Sequence, residues 1–300
     1  MAAAERDNDV IPNLLTNPKA LRDHVARALF LHCPENEIGA AGNGTLRSRD
    51  PESPNPGLIA SSVLFLLTMC PAGPDRPPEA CLILNKRSQR VRQPGDLCYP
   101  GGSPMWPLDS WIAGLSRFPG WKVFSHPQWS RERRKRPGMI RQVAPTVATA
   151  LREGWEEMRL NPFHLRFLGM LRPHRLTVYH RRIFPVVVWT DQQSGFRANW
   201  EVDKIILLPV RELFDSSRYA RFRPDFKVRR QNAAEGPRHN GLDPEYPCFL
   251  VRTPKEREIL WGVTFRITMT FLERAFGFDP PNVDDLPLLS ERLPDHYLKD

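Results

Sequence analysis

Residues 145–160 read PTVATALREGWEEMRL and form the densest chemical pattern in the chain. The spacing predicts a helix that begins at Pro145, because the fixed φ of proline suits a first turn. Apolar side chains share one stripe, which we expect to face the core: Val147, Leu151, Trp155 and Met158. Carboxylates at i, i+3 and i+4 share another face: Glu153, Glu156 and Glu157.

This acidic face has two interpretations. Three neighbouring carboxylates repel one another, and a hard divalent cation such as Mg²⁺, which prefers oxygen ligands, relieves the repulsion. Arg152 can also pair with Glu156 at i+4. The ordinary alternative is a solvated helix surface, since Glu-rich faces are common. The sequence around the helix decides between the two.

A glycine pair and an arginine-rich loop lie upstream. Residues 87–102 read RSQRVRQPGDLCYPGG and follow ACLILNK at 80–86, which predicts a strand. Gly101 and Gly102 allow the backbone to approach a cation or a phosphate closely. A glycine pair alone predicts only a turn. The order of strand, basic loop, glycine pair and acidic helix favours a site for metal and phosphate.

In this order of parts the chain resembles the Nudix hydrolases. Their helix signature is R-E-U-x-E-E-x-G-U, where U is apolar or small, and residues 152–160 match all its charged positions. The loop resembles the coenzyme A pyrophosphatase-like branch at these positions: Leu84, Arg87, Ser88, Arg92, Gly95, Tyr99, Pro100, Gly101 and Gly102. That branch tends to end with an I-W-G-L-T-A-like helix, and LWGVT at 260–264 is similar. The resemblance covers about residues 58–275.

The resemblance implies a pyrophosphohydrolase that uses Mg²⁺ or Mn²⁺. It implies metal ligation by four residues: Glu153, Glu156, Glu157 and, through its carbonyl, Gly102 (or Gly101). Glu153 or Glu157 would act as the base, and Arg152 would orient a glutamate, which makes these three the catalytic group. Substrate contacts are expected from the loop: Arg87, Arg92, Tyr99 and Gly101. Glu201 lies before a later strand. We expect a structural role for it, with distal ligation of the metal as the alternative.

The chain departs from the family pattern in three informative places. Residues 103–141 separate the glycine pair from the helix, so we predict an insertion there that loops out. Ala144 stands where the family has an acidic residue ahead of the arginine, and Asp109 is predicted to replace it in space. Arg159 stands where the end of the helix favours a left-handed glycine.

Other apolar stretches predict the remaining elements. Strands are expected at 61–70, 80–86, 182–189 and 202–210, the first two as a hairpin, and helices at 17–32 and 256–275. The implied fold class is α/β, the Nudix α/β/α sandwich with a mixed β-sheet, plus an N-terminal helix and the inserted loop. The expected divisions are a helical extension and linker at 1–57, the hydrolase domain at 58–275 and a C-terminal tail at 276–300, laid over the surface or mobile.

The composition of the chain restricts its fold class, its cellular location and the kinds of molecule that it can bind. The 43 basic residues outnumber the 34 acidic ones by 9, which suits an anionic partner. The 31 prolines argue against a helical bundle. The five cysteines show no C-x-x-C pair, so we expect neither a disulfide framework nor a zinc site, in a reducing, cytoplasmic location. No apolar run approaches the roughly 20 residues that span a bilayer, so no membrane partner is expected.

The leading hypothesis is cleavage of the diphosphate of coenzyme A or acyl-coenzyme A to adenosine 3',5'-bisphosphate and (acyl-)phosphopantetheine. One alternative keeps the chemistry with ADP-ribose, a dinucleotide or another nucleoside diphosphate derivative. The other is a catalytically impaired Nudix fold that binds a nucleotide, RNA or protein through the basic insert, which includes the charge run at 131–136. The expected partner is a small nucleotide-diphosphate substrate rather than a nucleic acid, and a homodimer is compatible with this hypothesis.

Overall fold

The computed structural model describes residues 11–29, 59–115, 121–176, 181–191, 195–225, 245–253 and 256–297. The predicted linker, which falls within 30–58, lies outside these residues. The described chain forms two β-sheets, with helices packed on both faces of the larger one.

The helices and strands follow one another in mixed order. The helices are α1 (Pro18–Leu29), α2 (Trp106–Gly114), α3 (Pro127–Lys135), α4 (Pro137–Met158) and α5 (Gly262–Phe276). The first eight strands are β1 (Ile59–Cys70), β2 (Glu79–Arg87), β3 (Leu97–Cys98), β4 (Gly101–Gly102), β5 (Leu165–Met170), β6 (His174–Leu176), β7 (Arg181–Thr190) and β8 (Val202–Pro209). The last four are β9 (Tyr219–Asp225), β10 (Tyr246–Arg252), β11 (Arg257–Leu260) and β12 (Leu288–Arg292).

The larger sheet is mixed, as predicted. Its central order is β3-β2-β1-β7-β5, with β8 paired to β2, β4 to β1 and β6 to β7. Strands β1 and β2 form the predicted antiparallel hairpin, and β1 runs parallel to β7. Both central strands are buried almost throughout because helices cover the two faces.

The two faces of this sheet carry separate apolar cores. Leu64 and Leu66 of β1 pack in one core with α2, α3 and α4. Phe65 and Leu67, which point the other way because strand side chains alternate, pack in the second core with α1 and α5. The predicted α/β/α sandwich is therefore confirmed. Helix α1 belongs to its second core, so this part of the extension is integral to the domain.

Contrary to the sequence prediction, the described parts of this segment, residues 103–115 and 121–141, do not loop out. They supply α2, α3 and the first turn of α4, all packed on one face of the sheet. Trp129 is buried in this layer and meets Phe167 of β5 edge-on, with ring centroids 5.3 Å apart. Trp121 and Phe124 lie in the same core, so this part of the segment belongs to the helical layer.

The second sheet, ordered β11-β10-β9-β12, was not predicted. Residues 257–260 are its edge strand β11, so the helix expected at 256–275 begins only at Gly262. The C-terminal segment also contributes, because β12 runs parallel to β9 and Tyr297 is buried. Much of the predicted tail is therefore part of the fold.

One cysteine pair corrects the expectation of no disulfide. Cys70 and Cys81 lie on the neighbouring antiparallel strands β1 and β2, with Cα atoms 6.0 Å apart, and are joined as a disulfide. The predicted hairpin brings the two cysteines together, although a separation of 11 residues with no C-x-x-C spacing did not suggest a pair. In the described parts of the chain, no helix has the length and apolar character needed to cross a membrane.

Candidate functional site

Helix α4 presents the acidic residues and is longer than predicted. It begins at Pro137, which occupies the first turn, and Pro145 lies inside it. It ends at Met158, and Arg159 adopts the left-handed conformation, φ 55° and ψ 37°, at the position expected to favour glycine. The Arg159 N–H donates to the Trp155 carbonyl at 2.9 Å, which closes the last turn at a cost of about 1 kcal/mol relative to glycine.

The inward stripe of α4 was predicted with one error. Val147, Leu151 and Met158 are buried, but Trp155 is 46% exposed. Gly154 faces the sheet instead, and a Cβ there would press on Leu64 of β1. The helix therefore lies close to β1 along its last turns, which brings its carboxylates towards the glycine pair of β4.

Arg152 is a buried guanidinium that organises the acids. Its Nε donates to Asp109 Oδ1 at 2.9 Å, and its Nη2 donates to the Ser103 carbonyl at 2.9 Å. Its Nη1 donates to Glu156 Oε2 at 2.9 Å, and Nη2 lies 2.9 Å from Glu153 Oε1. The planar guanidinium thus fixes two glutamates relative to the segment that follows the glycine pair.

Asp109 occupies the position predicted for it beside the arginine. It is fully buried, and its Oδ2 accepts hydrogen bonds from Met105 N and Thr149 Oγ1, both at 2.7 Å. Because α2 packs along α4, a residue 43 positions upstream of Arg152 can supply the counter-charge. The segment expected to loop out therefore contributes a side chain to the site.

Glu157 is the most buried of the three glutamates, with 8% exposed. Its Oε1 accepts from Gly101 N at 2.9 Å and its Oε2 accepts from Asn85 Nδ2 at 2.7 Å. Burial is the main reason that its pKa rises to about 7. The two hydrogen bonds lower this pKa, and the charges of Glu153 and Glu201 raise it.

Asn85, which the sequence analysis missed, completes the environment of Glu157. Its side chain is buried at the end of β2, and its Oδ1 has no hydrogen-bond partner among the described residues. The two ends of an amide can exchange places by rotation. A protonated Glu157 can therefore donate to this oxygen, so the pair can hold a proton between them.

Glu153 and Glu201 extend the acidic cluster. Burial raises the pKa of Glu153, the Arg152 charge lowers it, and the charges of Glu156 and Glu201 raise it. Glu201 acts in this way on Glu157 as well, so the carboxylates share one electrostatic environment. The Glu201 carbonyl accepts from Ser88 N at 2.8 Å, which joins the start of β8 to the basic loop.

Gly101 lies against Glu157, and Gly102 lies against Glu153. The two glycines form β4, which pairs antiparallel with Ser62 and Val63 of β1. A Cβ on Gly101 would collide with the Ser62 carbonyl, and a Cβ on Gly102 would collide with the Glu153 carboxylate. Close approach thus requires glycine at both positions. The structure brings the glycine pair, Glu153 and Glu157 together, while Glu156 turns to Arg152 with its side chain 45% exposed.

The predicted substrate residues divide into two groups. Arg87, the last residue of β2, donates from Nε to the carbonyl of Arg92, which lies in the loop that follows, at 2.7 Å. Tyr99 is in the core: its hydroxyl lies 2.7 Å from Thr268 Oγ1, and its ring centroid lies 4.7 Å from that of Phe65. Tyr99 therefore faces the α5 side of the sheet, away from the acids, and the expectation that it contacts substrate is not supported.

The chemistry of the donors fits a hard dication. Carboxylate and carbonyl oxygens are the ligands that Mg²⁺ and Mn²⁺ prefer, and the negative charge of Glu201 raises the pKa of both Glu153 and Glu157. Within the described residues, no three His, Cys, Asp or Glu side chains already converge as a metal-binding group. The carboxylates and the glycine carbonyl therefore fit Mg²⁺ or Mn²⁺ by donor type and charge.

Comparison with known proteins finds similar solved structures only. No family model and no curated protein matches the chain. A Nudix hydrolase from M. smegmatis is 14% identical over 52% of this chain and 74% of its own, with a TM-score of 0.32. A NUDIX hydrolase from Alicyclobacillus acidocaldarius is 17% identical over 52% of this chain and 81% of its own, with a TM-score of 0.35.

A third structure spans more of the chain. The MutT/nudix family protein from Enterococcus faecalis is 11% identical over 81% of this chain and 73% of its own, with a TM-score of 0.35. Likenesses at this level of identity and TM-score say nothing about activity.

Proposed function

We propose that the protein is a metal-dependent pyrophosphohydrolase of the Nudix type. Its first candidate substrates are coenzyme A and acyl-coenzyme A, cleaved to adenosine 3',5'-bisphosphate and (acyl-)phosphopantetheine. One observation carries the proposal. Glu153 and Glu157, both partly or fully buried, flank the Gly101–Gly102 pair, and Arg152 holds the first of them.

In this proposal Glu153, Glu156, Glu157 and the Gly102 carbonyl would hold Mg²⁺ or Mn²⁺. When bound, the cation would screen the charge of the diphosphate and lower the pKa of a coordinated water. Glu157 is the stronger candidate for the base, because a pKa near 7 suits a group that must accept a proton at neutral pH. Arg152 keeps Glu153 in place.

The hydrolysis itself balances simply. A water oxygen forms a bond to one phosphorus as the bridging P–O bond breaks, so each product keeps one of the two phosphates. The water proton passes to the base, and Asn85 can share it through its unpartnered oxygen. Arg87 and Arg92 in the basic loop are candidates to neutralise the substrate phosphates, because a guanidinium binds phosphate in a bidentate manner.

The coenzyme A branch is supported by a contact between its two motif segments. Trp261, from LWGVT, donates from Nε1 to Asp96 Oδ1 at 3.1 Å, and Asp96 belongs to the loop that carries Arg87 and Arg92. Two stretches separated by 165 residues thus meet beside the loop expected to bind substrate.

A second candidate substrate class keeps the chemistry but changes the ligand. ADP-ribose or a dinucleotide carries the same diphosphate, and the burial of Tyr99 removes one of the loop contacts expected for a coenzyme A substrate. The two sequence departures that would favour a catalytically impaired protein, Ala144 and Arg159, are both compensated in the structure. Asp109 replaces the acidic residue missing at Ala144, and the left-handed turn at Arg159 closes normally.

Product analysis tests the proposal. The purified full chain would be incubated with Mg²⁺ or Mn²⁺ and coenzyme A, acetyl-coenzyme A, ADP-ribose or a dinucleotide, and the products separated by chromatography. We expect adenosine 3',5'-bisphosphate from the coenzyme A compounds, and none when a chelator is present. Turnover of ADP-ribose alone would move the assignment to the second class.

A pair of variants links turnover to the site. Glu153→Gln should reduce turnover at least 100-fold, in keeping with the loss of a metal ligand or base. Glu291→Gln, at an exposed glutamate of β12 in the second sheet, is the matched control and should leave turnover unchanged. Absence of turnover for every substrate with either metal would overturn the proposed function.

A further inference from the structure

A cavity of about 530 Å³ lies on the side of the central sheet opposite α4. It is lined by residues of β6, α5 and the segment 278–286, together with Tyr219 and Pro247 of the second sheet. This volume is in the range of small-molecule sites. None of the acidic residues of α4 lines the cavity, so it is separate from the candidate hydrolytic site.

One part of the cavity is apolar. Phe265 and Met269 of α5 form it together with Phe278 and Leu286 from the C-terminal segment. Most of this surface is buried in the folded chain, since Phe265, Met269 and Leu286 are each exposed by less than a tenth. Such a wall favours an aliphatic or aromatic body over a fully hydrated ion.

The other part of the cavity holds a buried histidine. His174 of β6 is 8% exposed, and its Nε2 has no hydrogen-bond partner in the part of the chain that the structure describes. Burial and the charges of Arg266 and Arg172 lower its pKa to about 4, so the ring is neutral at pH 7. His174 is one of the residues that line the cavity, so its neutral ring marks the polar end of the wall.

The charges around His174 favour an anion. Arg172, Arg175 and Arg266 line the cavity, and Arg266 Nη2 donates to the Arg175 carbonyl at 3.1 Å, which holds its guanidinium at the β6 edge. Glu273 and Asp279 also line the cavity. The charges that shift the titration of His174 are both arginines, so the histidine end is the cationic end.

We propose that this cavity binds a small amphiphilic anion. Its carboxylate or sulfonate would lie at the end formed by His174 and Arg266, and its apolar body would lie against Phe265 and Met269. A simple phosphate would meet the arginines but leave the apolar wall unused. This binding site does not rest on the proposed hydrolase activity.

Fluorescence titration of the full chain tests this site. The probe is 1-anilinonaphthalene-8-sulfonate, which joins a sulfonate to an apolar ring system and brightens when it leaves water. We expect saturable one-to-one binding that octanoate displaces and that inorganic phosphate at equal ionic strength does not. Glu153→Gln should leave this binding unchanged, because that residue belongs to the other site.

Two variants test the two parts of the cavity separately. Arg266→Gln removes the charge beside His174 and should weaken binding of the probe at least 10-fold. Val283→Trp places a bulky ring at an exposed residue of the cavity wall and should block entry with little effect on folding. Arg274→Gln, also an exposed arginine of α5 but outside the cavity wall, is the matched control and should bind normally.

The possible results of these binding experiments either support the proposed site or overturn it. Saturable binding lost in both cavity variants, with melting temperatures near that of the parent, would support the proposal. Normal binding in a folded Val283→Trp protein would overturn it, and so would the absence of any saturable binding. Displacement by phosphate as effective as that by octanoate would also overturn it, because an anion-only site would not use the apolar wall.

Discussion

Replacing Glu157 by glutamine should stabilise the metal-free protein at alkaline pH while it abolishes turnover. The carboxyl of Glu157 has an ordinary pKa of 4.5 in the unfolded chain and a pKa of about 7 in the folded one. The folded state therefore binds this proton more tightly. The stability that the proton provides is fully present below pH 4.5 and is lost as the pH rises through 7.

The size of the effect follows from that difference. One pH unit of pKa shift corresponds to about 1.4 kcal/mol, so a rise from 4.5 to about 7 corresponds to about 3 kcal/mol at pH 8. Glutamine carries no charge to bury. Its carbonyl can accept from Gly101 N, and its amide can donate to Asn85 once the Asn85 amide rotates. Allowing about 1 kcal/mol for imperfect hydrogen bonds, Glu157→Gln should gain about 2 kcal/mol at pH 8.

Chemical denaturation at pH 5, 6, 7 and 8 in the presence of a chelator measures this gain. The free energy of unfolding of the variant should fall less steeply with pH than that of the parent. Glu156→Gln is the matched control one residue away. Its carboxylate is half exposed, so this change should alter stability by less than about 1 kcal/mol and leave the slope in place.

Turnover by Glu157→Gln, measured with Mg²⁺ on the preferred substrate, should fall at least 100-fold. A variant that is less stable than the parent at pH 8, or one that keeps the parent's pH slope, would refute the buried-carboxylate reasoning. Undiminished turnover would refute the assigned role. The two readouts are therefore independent.

Three further substitutions have defined outcomes. Asp109→Asn should lower the free energy of unfolding by about 3 kcal/mol, because a buried guanidinium loses its counter-charge, whereas the exposed Asp75→Asn should change it by less than 0.5 kcal/mol; equal effects in denaturation curves would contradict this. Gly102→Ala should stop turnover in a folded protein because the new methyl group displaces a carboxylate, while Gly138→Ala, which meets open space, should keep the parental rate. Tyr297→Phe should cost about 1–2 kcal/mol in denaturant titrations and raise the pKa of the carboxyl that its hydroxyl contacts, and unchanged stability would show that the C-terminal contact is dispensable.

The local parts of the site were predictable because their pattern is carried by neighbouring residues. Glu153 and Glu157 share a face of one helix, and the glycine pair lies where the order of elements places it. Asp109 was also predictable, as the acidic residue available upstream once Ala144 had been identified as a gap. Each of these inferences used spacing or charge that a helix or a turn translates directly into position.

Errors arose where packing, rather than periodicity, decides the outcome. The helical periodicity predicts that Trp155 faces inward, because periodicity counts every apolar residue alike. The structure buries the small Gly154 there because α4 lies too close to Leu64 for a large side chain. Trp129 gives the same lesson. Its segment is polar and basic in sequence, and only contacts with distant strands reveal it as core.

Long-range contacts could not be predicted from one sequence. Strand β12 is mostly exposed and lacks a clear alternating pattern, so its pairing with β9 leaves little trace. The hydroxyl of Tyr297 meets Asp96 across 201 residues of chain, and Asn85 meets Glu157 across 72. Such pairs depend on the complete topology, which strand and helix signals only outline.

Binding of Mn²⁺ to the full chain at pH 7.5, followed by the loss of the free-ion signal in electron paramagnetic resonance, tests the central claim most directly. The parent protein should bind Mn²⁺ saturably, with competition by Mg²⁺. The double variant Glu153→Gln, Glu157→Gln should lose this binding while Glu291→Gln retains it. Equal Mn²⁺ binding by the parent and the double variant, or no saturable binding by the parent, would contradict the account of these carboxylates as a metal site.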